Sequence, residues 1–134
     1  MTAQFGDPAL WQTYNTRRWI EHVRNIESAN LVVLDGQARP KVILDAAKES
    51  GFSAMHVTLI DCAHDERRHR LLNNRSQPEL DNLDIYAWAA YLRGQADALN
   101  LEVIDTTVVS LEKSTLELAN SIKLFANANS ISMD

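Results

Sequence analysis

Two clusters of charged residues follow apolar runs in this chain and have the composition of phosphate-handling sites. The first is the segment 35–39, which begins with Asp35 and ends with Arg39 directly after the apolar run 31–34. A carboxylate at the end of a strand can hold Mg²⁺ through water or orient a nucleophile, and an arginine is a planar, forked partner for phosphate. The alternative is a strand end capped by Asp35, a tight turn and an exposed Arg39. Chemistry alone leaves both interpretations open.

The second cluster is the arginine-rich segment 61–75, which follows the apolar run 55–60. Several cations gathered near a transferring phosphoryl group stabilise its distributed negative charge. The alternative is a solvated helix in which Asp65 and Glu66 pair with neighbouring arginines, for about 0.2–0.5 kcal/mol per pair. A third, less specific signal is the segment 103–107, in which the apolar residues end at Asp105 and two threonines follow.

Hydrophobic periodicity and capping residues predict the elements that position these clusters. Apolar runs predict strands, and three-and-four spacing between caps and glycines predicts helices. The predicted strands are 31–34, 55–61 and 101–105, and the predicted helices are 8–28, 41–50, 65–74, a segment capped by Asp81 that extends to residue 99, and a segment capped by Ser110 that extends to residue 125.

Strands that alternate with helices predict a three-layer α/β/α fold with a short parallel sheet, in which ligands bind at the carboxyl ends of the strands. We expect a single α/β domain over residues 1–134. Within it, residues 1–29 form an N-terminal helical region, residues 30–126 form the core and residues 127–134 form a flexible tail.

The run Leu-Val-Val-Leu-Asp-Gly-Gln-Ala-Arg-Pro at residues 31–40 is similar to the Leu-Asp-Gly-Phe-Pro-Arg stretch of adenylate kinases and related small P-loop kinases. The resemblance implies that Asp35 lies at the end of the Walker B strand and organises Mg²⁺, and that Arg39 contacts the phosphates being transferred. Gln37 and Ala38 depart from the adenylate-kinase pattern, which weakens AMP as the expected acceptor.

The other two clusters extend this resemblance over about residues 30–125. The segment 61–75 is similar to the strand and lid-entry helix of these kinases, which implies that Arg70 and Arg75 close over nucleotide phosphates. The segment 103–107 resembles their last strand, whose following turn borders the adenine, so Thr106 is expected to bind the nucleotide. The resemblance implies Mg-ATP as the cofactor and a nucleotide or another small molecule as the phosphate acceptor.

The phosphate-binding loop of this family, Gly-x-x-x-x-Gly-Lys-Ser/Thr, does not occur in the printed sequence, whose four glycines lie at positions 6, 36, 51 and 94. Its backbone N–H groups and lysine normally cradle the phosphates. The sequence therefore predicts a P-loop NTPase-like fold without its first strand and phosphate loop, and an isolated chain that does not transfer phosphate. The alternative is a truncated or degenerate binding or assembly module. A missing strand exposes sheet edges, so we expect a homodimer.

Composition narrows the class of protein further. The chain has 46% apolar residues, 23% charged residues and a net charge of −5, which argues against a nonspecific nucleic-acid binder. No apolar run reaches the roughly 18 residues of a membrane span, and the first residues do not resemble a signal peptide. With a single cysteine, these features predict a cytoplasmic protein without membrane partners. The residues His56, Cys62, His64 and His69 do not match a tetrahedral metal-ligand spacing.

Overall fold

The computed structural model describes residues 6–133, which form a mixed α/β structure that is mostly helical. A π-helical turn, Arg70–Asn74, continues the third helix, and a 3-10 turn, Pro78–Leu80, precedes the fourth. The regular elements in chain order are α1 Pro8–Arg24, α2 Pro40–Glu49, β1 Thr58–Asp61, α3 His64–His69, α4 Leu83–Ala98, β2 Glu102–Asp105 and α5 Leu111–Ala128.

The sheet of the described residues consists of β1 and β2, which pair in parallel. Thr58 lies opposite Glu102, and Asp61 lies opposite Asp105, so both strands end in an aspartate at the same edge. The sequence prediction of a short parallel sheet is confirmed, and the two strands are shorter than the predicted runs 55–61 and 101–105.

The predicted strand at 31–34 is wrong. Residues 31–39 form neither helix nor strand, and the side chains of Val33 and Leu34 are 65% and 51% exposed. A strand needs a neighbour to accept and donate its ladder hydrogen bonds, and within the described residues the sheet ends at β1 and β2. Asp35 therefore does not stand at the end of a strand in this structure, which corrects the structural basis for its expected Walker B position.

The chain folds as two compact units, one of which contains α1 and α2. This first unit holds the described residues up to His56 and from Lys123 onward. Its core is the contact of Ile20 with Ala46 and Ala47, to which Ile43 and Phe52 add partly buried side chains. The two alanines are 2% exposed, and their small side chains allow the helices to pack closely.

The second unit, Val57–Ile122, contains the sheet, α3, α4 and most of α5. Its buried apolar side chains are few: Ala96 on α4 is fully buried, Ile104 on β2 is 3% exposed and Leu71 is 8% exposed. Within the described residues, no large side chain has less than 2% of its surface exposed. Because hydrophobic burial is the main favourable term in folding, a core this small leaves the unit dependent on polar contacts at the sheet.

Helix ends follow local sequence rules. The Asp7 carboxylate caps α1 by accepting a hydrogen bond from the backbone N–H of Ala9 (2.9 Å). The Ser110 hydroxyl accepts one from the backbone N–H of Lys113 (3.1 Å), so the predicted cap Ser110 is confirmed. The predicted cap Asp81 is wrong, because Asn82 caps α4 through Ile85 (2.9 Å).

We predict that Ile20→Ala lowers the free energy of unfolding by roughly 2–4 kcal/mol, because it empties the contact between α1 and α2. Leu10→Ala is the matched control on the same helix, since Leu10 is 56% exposed and Ile20 is 7% exposed. Urea unfolding followed by tryptophan fluorescence and circular dichroism measures both variants. Equal losses in the two variants would contradict the proposed core.

Two glycine-to-alanine changes should act in opposite directions. Gly51 closes α2 with φ +86°, where a side chain is strained, so Gly51→Ala should destabilise by about 1 kcal/mol. Gly94 lies inside α4, and an added Cβ would meet no atom within 4 Å, so Gly94→Ala should stabilise by about 1 kcal/mol. Thermal unfolding of the two variants tests this; a destabilising Gly94→Ala would disprove the open surroundings of that position.

Candidate functional site

The carboxyl ends of β1 and β2 carry a network of ion pairs and hydrogen bonds within the second unit. In parallel sheets this edge is where ligands bind. We call this group of seven residues the carboxyl-edge network: Asp61, Arg67, Arg70, Arg93, Asp105, Thr106 and Thr107.

Asp61 lies at the centre of the network. Its carboxylate accepts a hydrogen bond from Arg67 Nη2 at Oδ1 (2.9 Å) and one from Arg93 Nη1 at Oδ2 (3.3 Å), and the side chain is 14% exposed. Arg67 Nη2 also donates to the carbonyl of Cys62 (2.8 Å). Asp61 therefore joins Arg67 on α3 and Arg93 on α4 to the end of β1.

Arg70 and Thr106, which the sequence named separately, contact each other. Arg70 Nη1 donates to Thr106 Oγ1 (2.9 Å), Nη2 donates to the carbonyl of Thr106 (2.6 Å), and Nε donates to Glu66 (2.7 Å). The backbone N–H of Thr106 in turn donates to the carbonyl of Asp61 (2.8 Å). The arginine is therefore oriented by three hydrogen bonds to two residues and is fixed relative to both strand ends.

Arg93 joins the two strand-terminal aspartates and was missed by sequence reasoning. Its guanidinium lies 3.3 Å from Asp61 Oδ2 and 3.7 Å from Asp105 Oδ2, and Nε lies 3.6 Å from Asp97. The hydrogen bond to Asp61 is the main cause of the raised pKa of Arg93. The sequence contained a signal for this role. Arg93 lies three residues before Ala96, so it is a charged residue on the same face of the predicted helix as an apolar one.

Asp105 is held in its ionised form by the turn that follows β2. Its Oδ1 accepts hydrogen bonds from the Thr107 hydroxyl (2.6 Å) and the Thr107 backbone N–H (2.9 Å). These two bonds, with a smaller contribution from Arg93, lower the pKa of Asp105. The Thr107 hydroxyl oxygen also accepts from the backbone N–H of Ala63 (2.8 Å), so the turn after β2 is tied to the loop after β1.

The cysteine beside this edge is not an activated nucleophile. Burial raises the pKa of the Cys62 thiol, and the nearby Arg67 and Arg70 only partly oppose that effect. The thiol is therefore protonated at neutral pH. In the part of the chain that the structure describes, no group of three or more His, Cys, Asp or Glu side chains is arranged to hold a metal ion.

The other expected site residues lie elsewhere in the chain. Asp35 and Arg39 belong to the first unit. Asp35 is exposed within the irregular segment 31–39, and Arg39 donates a hydrogen bond from Nη1 to the side-chain oxygen of Gln12 on α1. The convergence of these two residues with Arg70 and Arg75 in one pocket stays a prediction.

Arg75 ends the π-helical turn that begins at Arg70. Its backbone N–H donates to the carbonyl of Arg70 (3.0 Å), and its side chain is exposed. Single π-helical turns occur frequently at functional sites.

A cavity between α3 and α4 is lined by His64 and Tyr86 among others and has a volume of about 10 Å³. This volume is about that of one water probe, so the cavity is too small for a nucleotide.

No protein-family model, curated protein or solved structure matches this chain. Across the residues that the structure describes, no helix combines the length and the apolar character that a bilayer span requires.

We predict that Asp105 titrates below its ordinary pKa of 3.8 in the folded chain, and that Thr107→Val raises this value by removing the side-chain hydrogen bond. A carboxylate with a lowered folded-state pKa adds stability above its unfolded-state pKa and loses it as the pH falls through the folded-state value. The stability difference between the wild type and Asp105→Asn should therefore shrink below about pH 4. Carboxyl NMR titration measures the pKa; a wild-type value at or above 3.8 would contradict the geometry.

Proposed function

We propose that this chain is a nucleotide-binding module related to ATP-dependent small-molecule kinases, with a P-loop NTPase-like three-layer core, and that it does not transfer phosphate by itself. In this proposal the carboxyl-edge network holds the phosphates of Mg-ATP. Arg70 and Arg75 contact the phosphates, Thr106 borders the nucleotide, and Asp35 and Arg39 serve the metal and the transferred group. A nucleotide or another small molecule is the acceptor in any complete assembly.

The observation that carries the proposal is the contact between Arg70 and Thr106 at the shared carboxyl end of two parallel strands. Residues 36 positions apart meet at the edge where parallel α/β sheets bind ligands. Arg70 uses three of its N–H groups within the chain, and a guanidinium has five. Its side chain is 32% exposed, so ligand oxygens can approach the remaining N–H groups.

The charges of the network favour a phosphate ligand that arrives with a cation. Arg67 and Arg93 already contact Asp61, and Arg70 contacts Glu66, so a free polyanion meets a largely neutralised site. Mg²⁺ usually binds through one or two carboxylates together with phosphate oxygens and water, and the exposed Asp35 suits that limited role. The metal would supply charge neutralisation on the phosphates.

The lack of turnover in this proposal follows from the printed sequence. Phosphoryl transfer depends almost entirely on positioning and electrostatic stabilisation, and in P-loop enzymes the phosphate loop and its lysine cradle the phosphates. The residues present can orient and partly neutralise a nucleotide, whereas no segment of the sequence supplies the backbone N–H cradle and its lysine.

A second function is supported by a different observation. Many large apolar side chains are exposed in the described residues, including Leu83 and Leu111 at 84% and Val108 at 93%. Exposed apolar patches often mark contact surfaces. A non-catalytic binding or assembly module, whose partner covers these side chains, is therefore the second candidate.

The test of nucleotide binding is isothermal titration calorimetry of the full chain with Mg-ATP. We predict measurable binding that Arg70→Ala weakens by roughly tenfold or more, because a hydrogen bond to a charged group is lost. Arg75→Ala should also weaken binding, and its exposed side chain makes misfolding an inadequate explanation for that loss. Arg39→Ala tests the contribution of the first unit.

Arg68→Ala is the matched control. Arg68 lies two residues before Arg70, is 59% exposed and pairs with Asp81 rather than with the strand ends, so its removal should leave affinity within about twofold. Heat of binding in the wild type that Arg70→Ala and Arg75→Ala leave unchanged would exclude the carboxyl-edge site. No binding at millimolar Mg-ATP would favour the assembly module.

A further inference from the structure

The sheet has an open edge along β1. Among the described residues β1 pairs only with β2, so its other side presents backbone groups to no neighbouring strand. Parallel sheets are normally extended and covered on both faces, and a two-stranded sheet has little stability by itself. An open edge of this kind is a template for the addition of another strand.

One face of this sheet carries an isoleucine on each strand, and the two isoleucines are covered unequally. Ile60 and Ile104 are paired in the parallel register and share a face. On the β2 side, Ile104 is 3% exposed, and Ser121 of α5 donates a hydrogen bond to Glu102 of the same strand. On the β1 side, Ile60 remains 54% exposed. A strand added beside β1 would place its own side chains next to Ile60, on the side of the sheet where Ile60 is exposed.

The same chain contains a segment of matching character without a ladder of its own. Residues 31–34 read Leu-Val-Val-Leu, form neither helix nor strand, and expose Val32, Val33 and Leu34 by 38%, 65% and 51%. Consecutive apolar and β-branched residues suit a buried parallel strand. In the single chain this segment stays outside the sheet.

We propose that the open edge of β1 accepts the segment 31–34 of a second copy of this chain as a parallel strand. Two copies that exchange this segment reciprocally form a closed two-fold dimer, and both sets of apolar side chains become covered. Each copy then carries a three-stranded sheet whose third strand comes from its partner.

The charges at the edge support this occupant. With residues 31–34 beside Thr58–Asp61 in parallel, Asp35 reaches the level of Cys62, whose carbonyl accepts the hydrogen bond from Arg67. Arg67 makes its bonds to Asp61 and to the carbonyl of Cys62 through Nη2 alone, so a carboxylate that arrives at this level is complementary to the rest of its guanidinium. Asp35 and Arg39 of one copy would join Arg70 of the other; this last step alone rests on the nucleotide-binding function proposed above.

Sedimentation equilibrium of the full chain without nucleotide tests the exchange separately from ligand binding. We expect a dimer whose dissociation constant rises roughly tenfold or more in Val33→Asp, because a charge is placed in the added strand, and similarly in Ile60→Lys, which blocks the edge. Leu116→Asp on α5 is the matched control, since Leu116 is 59% exposed and Val33 is 65% exposed, and it should leave the dimer intact.

Mixing the two disrupted variants gives the decisive result. A heterodimer of Val33→Asp with Ile60→Lys retains one unaltered segment opposite one unaltered edge, so mixing should restore part of the association that each variant lacks alone. Three results would overturn the proposal. The wild type could be monomeric, Val33→Asp could leave the dissociation constant of the dimer unchanged, or the mixed variants could fail to associate. Circular dichroism checks that Val33→Asp is folded. We expect a folded variant, because Val33 is exposed in the single chain.

Discussion

The four-residue pairing of β1 with β2 is the constraint on which the second unit depends. It brings Asp61 and Asp105 to the same edge, and two aspartates placed side by side repel each other unless cations lie between them. Arg93 lies near both carboxylates, and Arg67 holds Asp61 from the other side. The network is thus a consequence of the strand register as much as a potential binding site, and Arg70 and Thr106 are oriented by the same register.

This dependence on polar contacts reflects a small apolar core. The buried apolar residues of the second unit are Leu71, Ala96 and Ile104, two of which contribute substantial apolar area. Partly exposed ion pairs contribute little stability individually, although a connected network of several charges with good geometry contributes more. The physical consequence is a unit whose strand ends are well ordered by hydrogen bonds and whose sheet is incompletely covered. The ordered strand ends are the basis of the proposed nucleotide binding, and the incompletely covered sheet is the basis of the proposed assembly.

The chemistry of the edge distinguishes residues that are already occupied from those that remain available. Asp61 and Asp105 are engaged by guanidiniums and by Thr107, and the raised pKa of Cys62 keeps its thiol neutral. The thiol of Cys62 is therefore not prepared to act as a nucleophile. Arg70 combines a fixed orientation with partial solvent access, which suits recognition of an anionic group and does not by itself provide catalysis.

Local sequence determined the helices, most of their caps and the two strands, because capping hydrogen bonds and left-handed helix ends such as Gly51 involve neighbours within a few residues. It also named Arg70 and Thr106 separately, and their contact at the common edge of the parallel strands is a finding of the structure. The tertiary structure decided the rest. The run 31–34 has the composition of a buried strand but has no neighbouring strand to pair with. Arg93 contacts Asp61 because α4 packs on β1. Neither outcome is encoded in neighbouring residues, because a ladder and a distant ion pair require a partner that the fold alone brings into place.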